Sequence, residues 1–188
     1  MKPRRQQYRN LFQSRESRMA KKVIWSLIFI LAAGLLQSTL LQRIALFYAV
    51  PDLALVILVY VAYVNGSMTG QLSGFFSGFI LDFLSSAPLG LNALIRTLIG
   101  ALVGLMKGSF FLDIVFLPMA LCAGATVIKA LCFFLLHLVL STTVPSYNFM
   151  VPTFWIELGF NTLLAPLIFA FLKLFKSLLT GTRRSRNG

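Results

Sequence analysis

Four polar side chains inside otherwise apolar stretches near the C-terminus have the types that could do chemistry. Lys129 and His137 fall in one stretch, and Glu157 and Asn161 fall in the next. On a helix, Lys129 lies two turns from His137, and Asn161 lies one turn from Glu157. Such a group resembles parts of a proton relay. It also fits a polar contact between neighbouring helices, or contact with a partner's transmembrane helix.

A second pair of charged residues, Asp82 and Arg96, lies on either side of Pro88. If two antiparallel helices join at a turn on Pro88, the depths of these residues differ by about 3 Å at 1.5 Å per residue. We therefore predict an intramembrane ion pair between Asp82 and Arg96. A substrate or proton site is the alternative for this pair.

Small residues recur every four positions on both sides of that turn. Glycines at this spacing let two helix backbones approach closely in lipid. We predict a helix-packing seam in which Gly78 and Gly100 are close enough for cysteines placed there to cross-link. The seam consists of Gly70, Gly74, Gly78, Gly100 and Gly104.

The sequence has no motif of an enzyme or of a metal site. It contains no GxSxG elbow, no GxxxxGK[ST] loop and no HExxH helix. His137 is the one histidine, and no second histidine or cysteine follows at ligand spacing. Cys122 and Cys132 lie in one apolar segment, too far apart on a helix to bond to each other. We expect no catalytic residue, no metal and no cofactor.

Membrane-spanning helices are the elements that must position these residues. The chain has 188 residues, of which 58% are hydrophobic, and its uncharged runs are long enough to cross a bilayer. We predict an all-α integral membrane protein whose domain, residues 23–176, is a bundle of six transmembrane helices. The predicted helices cover 23–42, 51–67, 69–84, 89–106, 117–140 and 154–175.

The net charge of +12 comes mainly from the two ends of the chain. Basic residues next to apolar spans are retained in the cytoplasm. We therefore expect residues 1–22 and 177–188 to be cytoplasmic tails, the first of them disordered or on the membrane surface. Anionic lipid is an expected partner of both tails. Nucleic acid is not, because no aromatic platform accompanies the charge.

A pattern in residues 51–104 resembles the MreD family of rod shape-determining proteins. The pattern is Pro51-Asp52-Leu53, Val59-Tyr60, Gly66, Gly70, Gly74-Phe75, Gly78, Leu81-Asp82, Pro88-Leu89-Gly90-Leu91, Ala93-Leu94 and Gly100. Gln37-Ser38-Thr39-Leu40 also resembles the family's first helix. The residues matched to the family motif are Pro51, Asp52, Gly74, Asp82, Pro88 and Gly90. Arg96 and Lys129 are not carried over from the family.

The resemblance implies a non-enzymatic subunit of the bacterial cell-elongation (rod) complex, placed in the inner membrane with both termini cytoplasmic. It implies that the chain binds and orients MreC, a bitopic protein, and so supports lateral peptidoglycan synthesis and cell shape. The wider complex contains MreB, RodA and a class B penicillin-binding protein. The family's fold resembles the S component of energy-coupling-factor transporters.

Two other functional classes stay open. One is a true S component that binds a small vitamin-like molecule. The other is a channel or secondary transporter, which needs a continuous polar path from Lys129 to Glu157.

Overall fold

The computed structural model describes residues 2–39, 51–85, 88–108, 115–140 and 152–180. Within these ranges the protein is helical and has no strand, so the all-α prediction is confirmed. The helices are α1 (Lys2–Thr39), α2 (Leu53–Asn65), α3 (Ser67–Leu84), α4 (Leu91–Leu105), α5 (Phe116–Leu140), α6 (Pro152–Leu174) and α7 (Lys176–Thr180). Helices α2 to α6 begin and end within a few residues of the predicted bounds.

Helix α1 is much longer than the predicted first span. It is continuous over Lys2–Thr39, so residues 2–22 are helical and the expectation of a disordered tail is wrong. The expectation that this tail lies on the membrane surface stays a prediction. Its apolar part is Glu16–Gln37. A helix propagates easily once nucleated, which explains why the basic segment continues the apolar one.

Helix α2 forms the centre of the bundle. All residues from Ala54 to Ala62 are buried, on every side of the helix. It packs against α1, α3, α4, α5 and α6. A helix that is apolar all round belongs in a core, and here other helices surround it instead of lipid. Its 13 residues therefore need not match the thickness of a bilayer.

Helices α3 and α4 form an antiparallel hairpin with very close backbone contact. A Cβ atom added at Gly70 would overlap the carbonyl oxygen of Gly100, and one at Gly74 would overlap that of Arg96. Gly78 meets the backbone of Asn92 and Ala93 in the same way. All five seam glycines lie at such contacts, because Gly104 in turn meets Ser67.

The register of this hairpin differs from the one predicted. Gly100 faces Gly70, and Gly78 faces Asn92. In each facing pair, the sequence positions of the two residues add up to 170. Gly78 and Gly100 are therefore about two turns apart along the hairpin. The expected cross-link between cysteines at these two positions is wrong.

Among the described residues, three helical segments are long and apolar enough to cross a membrane: Glu16–Gln37, Phe116–Val139 and Pro152–Leu174. Leu53–Asn65 and Leu91–Leu105 are shorter apolar helices. Contacts of side chains on α5 with side chains on α6 show that these two helices also run antiparallel. One end of the bundle, which we call the Asp52 end, therefore contains the starts of α2, α4 and α6 and the end of α5. The opposite end, where Lys107 lies, is the Lys107 end.

Candidate functional site: the Asp52 cluster

A network of buried polar side chains surrounds the first turn of α2. We call it the Asp52 cluster, and it connects five helices. Its members are Gln37 on α1, Asp52 before α2, Arg96 on α4, Thr126 and Lys129 on α5, and Glu157 and Asn161 on α6.

Asp52 occupies the centre of this cluster because it caps α2. Its Oδ1 accepts a hydrogen bond of 3.0 Å from the backbone N–H of Leu55, which satisfies one of the free donors of the helix start. The carboxylate also interacts favourably with the positive end of the helix dipole. The Pro51-Asp52 pair thus starts α2 and places a negative charge there.

Two cations reach that charge from different helices. Arg96 Nη2 lies 3.0 Å from Asp52 Oδ1 and 3.2 Å from Oδ2. Lys129 Nζ donates to Asp52 Oδ2 at 2.8 Å and to Glu157 Oε1 at 2.7 Å. The chain of charges therefore runs from Arg96 through Asp52 and Lys129 to Glu157, and its formal charge is zero.

Amide and hydroxyl groups complete the cluster around the backbone. The N–H of Asp52 donates to Asn161 Oδ1 at 2.8 Å, and Asn161 Nδ2 donates to Thr126 Oγ1 at 3.1 Å. The N–H of Leu53 donates to Gln37 Oε1 at 3.1 Å. Side chains of α1 and α6 thus satisfy N–H groups at the start of α2 that have no partner within the helix.

Three of the four charged residues of the cluster are buried: Asp52 is 5% exposed, Glu157 6% and Arg96 7%. The side chain of Lys129 is 17% exposed. At this burial, ions are held only by good geometry and by pairing. One donor departs from this pattern: Nη1 of Arg96 is buried, with no hydrogen-bond partner among the described residues.

The predicted ion pair between Asp82 and Arg96 is wrong. A turn centred on Pro88 requires the numbers of facing residues to add up to 176, whereas they add up to 170, and Arg96 faces Gly74. Gly74 lies eight residues from Asp82 on α3, so the depths of Asp82 and Arg96 differ by about 12 Å. Arg96 therefore pairs with Asp52 on α2, which runs parallel to α4.

Asp82 instead caps α4 from the neighbouring helix. Its two carboxylate oxygens accept from the backbone N–H groups of Gly90, Asn92 and Ala93 at 2.9, 2.9 and 3.1 Å. The side chain of Asn92 adds a fourth bond at 2.9 Å. Gly90 has a φ of +93° there, a left-handed conformation that favours glycine. A helix start is a ready-made anion site, and Asp82 fills it.

The structure places the other predicted residues as follows. Lys129, Glu157 and Asn161 lie in the Asp52 cluster. His137 is half-buried on α5, two turns from Lys129 towards the Asp52 end. The central position of Asp52 could not be predicted from the sequence. A carboxylate at the start of its own helix does not indicate that cations from α4 and α5 contact it.

The arrangement is suited to holding helices together. Each carboxylate of the cluster is engaged by a cation, and the described residues contain no group of three or more His, Cys, Asp or Glu that could hold a metal. Asp52 and Lys129 together tie α2, α4, α5 and α6. Removing one member leaves its partner charged and buried, which is strongly unfavourable.

The described helices include three that are apolar and of spanning length, and an ion network of zero formal charge joins the bundle. These features define a helical membrane protein built around contacts between helices. A model of the family described as rod shape-determining protein MreD matches residues 18–175. The chain belongs to the MreD family, and the resemblance seen in the sequence is confirmed. Comparison with curated proteins and with solved structures gives no match.

Membership gives the broad role of the chain. MreD proteins are membrane proteins of the MreBCD shape-determining system. This chain is accordingly a rod shape-determining membrane protein. The six residues that the sequence analysis matched to a family motif lie in the region from α2 to α4. Asp52 and Asp82 cap helices, Gly74 lies in the seam, and Pro51, Pro88 and Gly90 lie near helix starts.

Proposed function

We propose that this protein is a non-enzymatic inner-membrane subunit of the rod complex that binds and orients an MreC-like bitopic protein. In this role it supports lateral peptidoglycan synthesis alongside MreB, RodA and a class B penicillin-binding protein. The observation that carries the proposal is the Asp52 cluster in a chain of this family: its buried charges are used to join helices.

A rigid bundle of this kind suits a protein that positions a partner. The seam between α3 and α4 and the charge network fix five helices relative to one another. Apolar side chains cover the exterior, among them Leu94 and Leu98 on α4 and Leu163 and Leu167 on α6. Such a surface can accept a transmembrane helix without first having to fold, so little conformational entropy is lost on binding.

The proposed topology has six spans with both termini in the cytoplasm. Basic residues then lie in the cytoplasm at both ends of the chain, and Lys107 lies on the same side. The basic tails are proposed to be attracted to anionic lipid. In this orientation the Asp52 end faces away from the cytoplasm. We also propose that the bundle resembles an S component in fold without carrying its vitamin.

Co-purification tests the proposal most simply. The tagged full-length chain is extracted from host membranes in mild detergent, and the proteins retained with it are identified by mass spectrometry. We expect an MreC-like protein at near-equal amounts, and none with an unrelated six-span protein that carries the same tag. Gly74→Val, which forces the seam apart, should lose the partner.

Depletion of the chain gives a second test. We expect cells to lose their rod shape while the uptake of vitamins stays unchanged. A defect in the uptake of one solute, in cells that keep their shape, would reject the proposal and favour the transport alternative.

A further inference from the structure

One nitrogen of Arg96 has no acceptor within the described part of the chain. Its Nη2 contacts both oxygens of Asp52, at 3.0 and 3.2 Å, whereas its Nη1 is buried and unpartnered there. Arg96 itself is only 7% exposed. Because the guanidinium group is planar, the contacts of Nη2 also fix the direction of Nη1. A buried donor without an acceptor is costly, so a further acceptor belongs beside Nη1.

The two neighbouring aspartates cannot supply that acceptor. A carboxylate has about four lone-pair sites. Asp52 already accepts four hydrogen bonds from the described residues, and so does Asp82. The acceptor for Nη1 therefore comes from another group.

Asn92 offers an amide oxygen one turn before Arg96 on the same helix. Side chains of a helix lean towards its N-terminus, so that of Arg96 runs along α4 towards Asn92. The Nδ2 of Asn92 donates to Asp82 Oδ1 at 2.9 Å. Its Oδ1 consequently points away from that carboxylate and accepts no hydrogen bond from the described residues. Asn92 is half-buried, so the site is open on one side.

A ligand between these two groups has to be neutral and has to both accept and donate. The four charged side chains of the Asp52 cluster have a formal charge of zero, and an added anion would be buried without a counter-charge. The ligand accepts from Nη1 of Arg96 and donates to Oδ1 of Asn92. A carbonyl group can only accept, whereas a water molecule does both.

We propose that one water molecule bridges Nη1 of Arg96 and Oδ1 of Asn92. Buried waters of this kind satisfy polar groups that protein atoms leave unpaired. The bridge joins the Asp52 cluster to the cap of α4, so the hydrogen-bonded network extends through Asn92 and Asp82 to α3. The two aspartate caps then form one unit. This inference does not rest on the partner protein proposed above.

A double-mutant cycle tests the bridge. Arg96→Lys keeps a cation for Asp52 but has a single nitrogen. Asn92→Ala breaks both the bridge and the bond to Asp82 in wild type, and only the bond to Asp82 in the Arg96→Lys background. Unfolding in detergent with sodium dodecyl sulfate measures the effect in both. We expect Asn92→Ala to shift the unfolding equilibrium constant about fivefold more in wild type than in the Arg96→Lys background.

Thr97→Val is the matched control for this cycle. Thr97 follows Arg96 on α4, and its hydroxyl donates to the carbonyl oxygen of Ala93 on its own helix, at 2.6 Å. The effect of Thr97→Val should be the same in both backgrounds. Equal effects of Asn92→Ala in the two backgrounds, or the same coupling for Thr97→Val, would overturn the proposal.

An experimental structure of the wild-type full-length chain, at a resolution that shows ordered waters, gives a test that does not depend on the folding of variants. We expect one peak of density, of the size of a water molecule, within hydrogen-bond distance of both Nη1 of Arg96 and Oδ1 of Asn92. A carbonyl group of the chain at that place, a larger ligand, or no density between the two ordered side chains would overturn the proposal.

Discussion

At the scale of single residues, the two aspartates of the family motif do similar work. Asp52 caps α2 and Asp82 caps α4, each at the Asp52 end of the bundle. They differ in their surroundings, because Asp52 also neutralises Arg96 and Lys129. Asp82 is balanced by hydrogen-bond donors alone and forms no ion pair with the described residues.

The position of Asp52 between two cations predicts an order of stabilities. Asp52→Asn leaves Arg96 buried without a carboxylate and leaves Lys129 with Glu157 alone, and should lower the free energy of unfolding by about 3–5 kcal/mol. Glu157→Gln should cost only about 1.5–3 kcal/mol, because Lys129 keeps its bond to Asp52. Unfolding in detergent with increasing sodium dodecyl sulfate measures both. A larger loss for Glu157→Gln would contradict the central place of Asp52.

Asp82 allows a second prediction at this scale. Asp82→Ala removes an acceptor from three backbone N–H groups at the start of α4, and should cost about 2 kcal/mol or more. Glu16→Gln removes the same charge at an exposed position and is the control. The same unfolding assay compares them. Equal stability of the two variants would show that the cap is unimportant.

At the scale of helices, the glycines inside α3 to α6 divide into two groups. Those of the α3–α4 seam touch the opposite backbone, whereas Gly124 on α5 and Gly159 on α6 have open space where a Cβ would be. Glycine weakens a helix by about 1 kcal/mol relative to alanine. In the seam, the close packing of the two backbones offsets this loss of helix stability.

Alanine substitutions should therefore have opposite effects in the two groups. Gly74→Ala should destabilise by about 1–3 kcal/mol, since its Cβ would overlap the carbonyl oxygen of Arg96. Gly159→Ala should be neutral, or stabilising by up to about 1 kcal/mol. Thermal unfolding in detergent distinguishes them. A stabilised Gly74→Ala protein would mean that the seam is not closely packed.

Much of the helical layout could be predicted from the sequence, but the register could not. Apolar runs and the four-residue glycine spacing locate α2 to α6 within a few residues. The residues between α3 and α4 do not indicate how the two helices are offset along their axes. Arg96 consequently faces Gly74 and pairs with Asp52 at the start of α2, not with Asp82. A contact such as Asp52 with Lys129 depends on the packing of distant segments. The spacing of residues along one helix cannot indicate it.

At the scale of the whole molecule, the fold is organised around α2. Four charged side chains and two helix starts lie together at one end, and basic residues lie at the other. This separation explains why a chain with only five acidic residues buries at least three of them. Asp52, Asp82 and Glu157 each compensate a positive group or a helix start that the bundle itself brings inside.

The central claim is that the buried charges hold helices in place and take no part in transport or catalysis. It is tested most directly by removing them together, in Asp52→Asn/Arg96→Met/Lys129→Met/Glu157→Gln, which leaves the formal charge unchanged. Replacing a whole buried ion network by groups of similar volume is often neutral. The measurement is the length-to-width ratio of cells that depend on this variant. We predict rods like those of wild type; round cells that contain a folded variant at normal abundance would contradict the account.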